Sequence, residues 1–325
     1  MKKYFYILLF LLMLTSCIKT PKTVENVWPA EIERYWVGPQ FLSIPQMDWK
    51  LDSGSLVCVN SGTNKGVVLL TKSIDHPLEG FEISFEGGFS GTRHNSTDKI
   101  GLLVGLKQPV HDSDDLSRGH FMGVTAGGQV KLLNKVSKTN VSLVNNQRLI
   151  FSIEGIALEN GKLQLSLKVR SEKEDNQLDE EIVEIAPETV QGLVSFFVAS
   201  KRVISGESAW FESLEITGEG VSTHPENAKG PILNIENTFQ NDTLSMTVFL
   251  TPLLRDSSNR VVLQTRGEGE WTTIAKLPIP DNNVVTFTLD KRNGLFQSYR
   301  VYTHYIDCYG SIKYSYVTGE IDKEN

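Results

Sequence analysis

The stretch Phe81-Glu82-Ile83-Ser84-Phe85-Glu86-Gly87-Gly88-Phe89, "FEISFEGGF", alternates apolar and polar residues without a break from Phe81 to Glu86. In an extended chain successive side chains point to opposite faces, so Phe81, Ile83 and Phe85 face a core while Glu82, Ser84 and Glu86 face away from it. A helix would scatter these residues around its circumference. The stretch is therefore a strand with one buried face, and the chain around it repeats the pattern. Upstream lie "SLVCVN" (55–60) and "GVVLLT" (66–71). Downstream come "IGLLVGL" (100–106), "FMGVTA" (121–126), "QVKLLN" (129–134), "RLIFSIEG" (148–155), "LQLSLKVRS" (163–171), "GLVSFFVAS" (192–200) and "AWFESLEIT" (209–217). Turn-forming Gly, Asn and Asp residues separate them, as in "NSGTNKG", "AGGQ" and "LENGK". Short alternating strands punctuated by turns predict antiparallel sheets stacked face to face. Ten strands across residues 28–220 exceed a small immunoglobulin-like unit and suit a jelly roll of two large sheets. The acidic run from Glu172 to Glu184 is expected to be a solvated loop between two of them.

A Gly/Pro-rich polar stretch, "GEGVSTHPENAKGP" (218–231), marks a domain boundary, with residues 221–230 as the linker. After it, "ILNIEN", "TLSMTVFL", "RVVLQTR", "EWTTIAKL", "VVTFTL", "YRVYTHYID" and "KYSYVTGEI" predict seven strands over residues 231–321. That number and spacing fit a smaller, fibronectin-III/immunoglobulin-like sandwich. In its sixth strand Tyr299, Val301, Thr303 and Tyr305 share one face, and Arg300, Tyr302 and His304 the other. Tyr299 stands where a tyrosine corner is expected. The fold class is thus all-β, a jelly roll followed by a second sandwich.

The N-terminus has a separate logic. Lys2 and Lys3 precede an apolar segment from Tyr4 to Leu14, too short for the roughly 20 residues that span a bilayer. A charged start, a short apolar middle and a small-residue exit describe a secretory signal. Leu14-Thr15-Ser16-Cys17 resembles the lipobox of bacterial lipoproteins. The resemblance implies a signal peptide of residues 1–16, cleavage before Cys17, lipidation of Cys17 and a tether over 17–27. Each buried acyl methylene contributes about 0.8 kcal/mol, so several chains on one cysteine anchor a protein firmly. The expected location is the bacterial cell envelope, at the outer membrane. Lys19 and Lys22 follow the cysteine in place of an acidic export cluster, and the leaflet stays open.

Composition narrows the partners. The chain has 325 residues, 40% hydrophobic and 22% charged, which is enough for two globular domains. A net charge of −7 without a Lys/Arg cluster argues against nucleic acid. Besides Cys17 there are Cys58 and Cys308, one in each domain, expected as separate free thiols.

"DWKLDSGSLVCVNSG" (48–62) together with the closing "AWFESLEITG" (209–218) resembles the concanavalin-A-like (LamG-like) lectin/glucanase sandwich. In that superfamily an early Trp-containing strand and a last F-x-x-L-x-I strand pair at one edge. Laminarinase-type glycosidases on this sandwich carry two glutamates on one strand with an aspartate between them. Here Glu82 and Glu86 flank Ser84, so the hallmark is broken, and plain alternation is the simpler reading. A glycoside hydrolase using Glu82 and Glu86 is the alternative. In "VHDSDDLSRGH", Asp112, Asp114 and Asp115 offer oxygen ligands for Ca²⁺ at a sandwich rim, but the EF-hand spacing fails and a polar loop is the simpler reading. Trp36 and Trp49 are candidates for stacking on sugar rings, against a simpler role in core packing. No G-x-S-x-G, P-loop or H-E-x-x-H pattern occurs.

A narrower resemblance rests on "WPAEIERYWVGPQFLSIPQMDWKLDSGSLVCVNSGTN" (28–64) with "GVTAGGQVKLLN" (123–134). These look like the N-terminal region of secreted bacterial phosphatases of the alkaline-phosphatase-D type. In those chains a jelly roll and a fibronectin-like domain precede a metallophosphoesterase domain. The D-x-H, G-D-x-x-D and G-N-H-D motifs of that third domain do not occur here, and no catalytic residue carries over. The resemblance implies a non-catalytic accessory or binding lipoprotein whose partner is a glycan or an envelope enzyme.

Overall fold

The structure, a computed structural model, describes residues 28–91, 94–137, 143, 147–172, 177–203, 205–240, 243–253, 259–266, 269–290, 298–307 and 310–321. Cys17 and its lipobox, and Cys308, lie outside them. Fifteen strands build the first sandwich from two antiparallel sheets. One sheet runs β1 (Phe41–Ile44), β4 (Lys65–Ile74), β13 (Gly192–Ala199), β6 (Lys99–Leu106), β7 (His120–Thr125), β8 (Val130–Leu132), β9 (Lys135–Val136), with β15 (Val221–Thr223) also on β4. The other runs β12 (Gln177–Ile185), β11 (Leu163–Ser171), β10 (Leu149–Ala157), β5 (Phe81–Phe89), β14 (Ser205–Thr217), β3 (Ser55–Asn60), β2 (Trp49–Asp52).

The inward residues of the two sheets interdigitate as a sandwich core. Phe85 stacks on Phe151 at 4.3 Å between ring centroids and meets Phe196 edge-on at 6.1 Å, while Phe211 packs 4.6 Å from Phe196. All four are fully buried, each contributing about 1.5–3 kcal/mol of apolar transfer. The Trp-bearing β2 pairs with β3, and β3 with β14, so the early and last strands sit at one edge with a single strand between them. Trp49 and Phe211 meet across that strand at 6.3 Å.

The outer faces of the two sheets differ. On β4, Val67 and Leu69 enter the inter-sheet core, while Val68 and Leu70 join a second cluster with Leu103, Leu106, Val110, Leu116 and Phe197. Residues 107–119 thus fold back over the eight-stranded sheet, which explains why "VVLL" is apolar at every position rather than alternating. The seven-stranded sheet carries its polar residues outward instead.

Two sequence expectations change. The acidic run 172–184 is not a loop: Gln177–Ile185 pairs with β11 as the edge strand β12, turning Val183 and Ile185 toward the core. Lys168 meets Glu180 at 3.3 Å, and Glu181, which is buried, pairs with Lys135 at 2.8 Å. Charged side chains on an edge strand also discourage edge-to-edge pairing. The linker begins later than expected, because Val221–Thr223 forms β15 on β4. Just beyond, His224 Nε2 lies 2.8 Å from Ser73 Oγ and 3.2 Å from Asp75 Oδ2.

The second sandwich has seven strands in antiparallel sheets of three and four. The first runs β16 (Ile232–Gln240), β17 (Thr243–Leu250), β20 (Val284–Asp290). The second runs β19 (Trp271–Pro278), β18 (Arg260–Arg266), β21 (Ser298–Ile306), β22 (Ile312–Glu320). Its core is separate, centred on Leu244, Met246, Val261, Leu263, Phe287 and Val301. Tyr299, Val301 and Thr303 face inward as expected, and Tyr299 lies opposite Gly319, where a side chain on residue 319 would collide with its ring. Among the described residues no helix is long and apolar enough to cross a membrane. Cys58 is free and fully buried, and burial pushes its thiol pKa up to about 11.

Candidate functional site

The inward anchoring of Ile83 and Phe85 forces Glu82, Ser84 and Glu86 onto the open face of the seven-stranded sheet. The register then arrays the neighbouring strands beside them. Glu82 lies opposite Glu154 on one side and Thr217 on the other. Ser84 lies opposite Ser152 and Glu215, and Ser152 opposite Lys168. Short serine side chains in the middle row, framed by longer ones, leave a shallow depression of about 200 Å³. Its floor is Ser84, Ser152 and Ser166; Glu82, Glu154, Glu215, Thr217 and Lys168 stand around it.

Farther along the same face is a second group. Arg148 Nη1 lies 3.3 Å from Glu86 Oε2, and Arg148 Nη2 pairs with Glu212, which also accepts from Ser55 Oγ at 3.3 Å. The guanidinium rests 5.8 Å from the ring centroid of Trp210, which is half-buried. One open sheet face therefore offers carboxylate acceptors, hydroxyl groups, an ammonium donor and the side of an indole. Carboxylates accept from paired hydroxyls, and an indole face covers apolar C–H groups. That is the donor and acceptor set a polyhydroxylated ring requires.

The expected site residues divide clearly. Glu82 and Glu86 do share this face, four residue steps apart along β5, a backbone rise of about 13 Å. Glu86 is moreover bound to Arg148. Trp49 is fully buried against Phe211 and cannot meet a sugar. Trp36 is also buried, and its role is to join the sandwiches: Tyr305 meets it edge-on at 5.2 Å, and the Arg34 guanidinium covers it at 4.9 Å. Arg34 in turn donates to the Trp36 carbonyl at 2.7 Å and to the Ile306 carbonyl at 2.9 Å. A groove of about 450 Å³ beside this joint is lined by Tyr35, Met47, Lys50, Leu253 and Asn283.

Asp112 is a helix cap. Its Oδ1 accepts from the backbone N–H groups of Asp114 at 2.9 Å and Asp115 at 3.1 Å, at the start of a single helical turn over Ser113–Leu116. Asp115 Oδ2 accepts from the His111 N–H at 2.8 Å, and this bond holds its carboxyl below the usual range. Asp114 is exposed. Among the described residues no three His, Cys, Asp or Glu side chains converge on a common point that would hold a metal ion.

Sequence reasoning missed Trp210. The signal was present in "WFESLEI": Phe211 and Leu214 both face the core although three residues apart, so the strand contains a bulge between Phe211 and Ser213. Counting across it places Trp210, Glu212 and Glu215 outward.

No family model matches the chain, and no curated protein matches it. Similar solved structures include alginate lyase Aly36B, with 8% identity over 56% of this chain and 98% of that one, at a TM-score of 0.33. A legume lectin-like domain from Entamoeba histolytica has 12% identity over 55% and 90%, at 0.35. The exoplasmic/lumenal domain of VIP36 in its Ca²⁺/Man3GlcNAc-bound form has 10% identity over 61% and 90%, also at 0.35. At these scores nothing about function passes from them to this chain.

Proposed function

We propose that the chain is a glycan-binding protein of the bacterial cell envelope, held at the outer membrane through lipidated Cys17 and without an active site of its own. The observation that carries this reading is the open face of the seven-stranded sheet, where Ser84, Ser152 and Ser166 floor a depression framed by Glu82, Glu154, Glu215 and Lys168. Sugar hydroxyls are donors and acceptors at once, and this set of groups answers both. The half-buried Trp210 extends the face toward a second ring. The order of a large sandwich followed by a smaller one resembles the front part of alkaline-phosphatase-D-type proteins, and an envelope enzyme is the protein partner this resemblance suggests. The glycosidase alternative has weaker support, since Ser84 stands between the two glutamates and Glu86 is engaged by Arg148 at 3.3 Å.

The test is a screen of the full chain, in detergent, against an array of neutral oligosaccharides. Binding that falls at least tenfold in both Trp210→Ala and Glu215→Gln is the expected result. Absence of binding across the array, or binding indifferent to both substitutions, overturns the reading. Hydrolysis of an array sugar that is abolished by Glu82→Gln would restore the glycosidase alternative.

A further inference from the structure

The four-stranded sheet of the second sandwich presents a different outer face. Inward packing of Val261, Leu263 and Val301 sends Gln264, Arg266, Arg300, Tyr302 and His304 outward, and the register completes their rows. Trp271 lies opposite Arg266, Thr273 opposite Gln264, and Lys276 opposite Val262. On the other side Tyr316 lies opposite Tyr302, and Tyr314 opposite His304.

Arg300 is the centre of this face. Its guanidinium carbon sits 4.7 Å from the Trp271 ring centroid and 5.1 Å from that of Tyr316. Gln264 fixes its orientation: Oε1 accepts from Arg300 Nε at 2.9 Å and Nη2 at 2.5 Å, while Gln264 Nε2 donates to Thr273 Oγ1 at 3.0 Å. Nη1 has no acceptor and the guanidinium no carboxylate partner among the described residues. Arg266, 6.0 Å from the same indole, donates Nε to the Gly269 carbonyl at 3.0 Å and likewise has no carboxylate partner among them. The tyrosine rings continue the surface, with Tyr302–Tyr316 at 5.3 Å and Tyr302–Tyr314 at 6.1 Å. Tyr314 is 55% and Tyr316 51% exposed, so each keeps ring surface open to solvent beyond its contact with Tyr302 and, for Tyr316, with Arg300.

Cross-strand pairing explains the contact between Tyr302 and Tyr316 as sheet stabilisation. It does not explain an arginine held against two rings, oriented by a glutamine and left without an anion among the described residues. A planar guanidinium with free N–H groups matches the two oxygens of a carboxylate. The aromatic faces beside it match the apolar face of a pyranose ring. Arg266, Arg300 and Lys276 make the patch cationic on a chain whose net charge is −7. The acidic groups nearest in sequence and register, Glu270 and Glu320, lie at its end row.

We infer that this face binds an acidic polysaccharide, its pyranose rings lying on Trp271 and Tyr316 and a ring carboxylate on Arg300. This site is separate from the depression of the first sandwich and does not depend on it.

Calorimetry of the full chain in detergent with hexagalacturonate, and with cellohexaose as the neutral probe, tests the assignment. Hexagalacturonate is expected to bind, to weaken as salt is raised, and to lose at least tenfold in Trp271→Ala and Arg300→Gln. Cellohexaose is expected to bind at least tenfold more weakly. Tyr316→Ala, at an exposed position, is the second probe of the platform if either variant folds poorly. Trp210→Ala should leave hexagalacturonate binding intact. Three outcomes overturn the assignment: no hexagalacturonate binding, equal binding of the neutral hexamer that Trp271→Ala also abolishes, or loss in Trp210→Ala but not in Trp271→Ala. A doubling of mass by light scattering that Tyr316→Ala abolishes would also overturn it, giving the face to a second copy of the chain.

Discussion

The open faces of the two sandwiches obey the same period-two rule and end with opposite chemistry. On the seven-stranded sheet the outward positions are serines framed by glutamates, with Glu82 directly opposite Glu154. On the four-stranded sheet they are tyrosines, a tryptophan and arginines, with Arg300 held against two rings. The first offers mainly hydroxyl and carboxylate acceptors around a depression; the second offers flat apolar faces with a cationic centre. The contrast teaches that alternation specifies only that a face is outward. What the face recognises depends on which outward residues the register brings side by side.

The largest way to break the comparison is from below. Phe85 is the fully buried underside of β5, stacked on Phe151. Phe85→Ala should cost the first sandwich about 3–5 kcal/mol, the range for truncating a core phenylalanine. Because the second sandwich has its own core, its unfolding should stay near the wild-type midpoint in a calorimetric scan. Equal loss in both would mean that the Arg34–Trp36–Tyr305 joint makes them one cooperative unit.

A smaller effect is expected where the linker leaves the first sandwich, beside β15. Burial works to raise the Asp75 carboxyl, but hydrogen bonds from Ser73, Ser222 and His224 outweigh it and hold it below its ordinary value of 3.8. A depressed carboxylate contributes stability that is present above that value and is lost as pH falls through the lower folded value. Asp75→Asn should therefore lower the melting midpoint at neutral pH, and the gap from wild type should close below about pH 4. With 34% of the side chain exposed, solvent screening keeps the shift modest. A gap that persists unchanged at low pH would show that the carboxylate charge has no part in it.

The smallest effect sharpens the comparison most. Like charges directly opposite on neighbouring strands destabilise a sheet, so Glu154→Gln should raise stability by about 0.2–1 kcal/mol in a denaturant titration. The same substitution should weaken glycan binding at the first face and leave hexagalacturonate binding at the second unchanged. Stability sacrificed at a binding surface is a common arrangement.

Much of the architecture was legible in the residues. "FEISFEGGF", "LQLSLKVRS", "TLSMTVFL" and "RVVLQTR" are strands with the bounds their alternation predicted. The failures have physical causes. Glu172–Glu184 looked solvated because acidic residues at several inward and outward positions mask the alternation of Val183 and Ile185, and only pairing with β11 shows it. Thr223 and its neighbours looked like linker because three residues carry too little pattern to announce a strand. Trp36 and Trp49 are left between core packing, the simpler reading, and sugar stacking because sequence does not show what covers a side chain, and Trp210 is hidden because a bulge shifts the count by one.

The sequence by itself determined that the chain is all-β, that a boundary separates two sandwiches, and which residues point away from their own strand's core. These follow from a period of two along each strand, a property of neighbours in the chain. The tertiary structure alone decided that residues 107–119 cover one outer face of the first sandwich while the other stays open. It also decided that Trp36 joins the sandwiches while Trp210 and Trp271 remain only partly buried on open faces. Burial at a face depends on segments that return to it from far along the chain, and local periodicity holds no record of where they land.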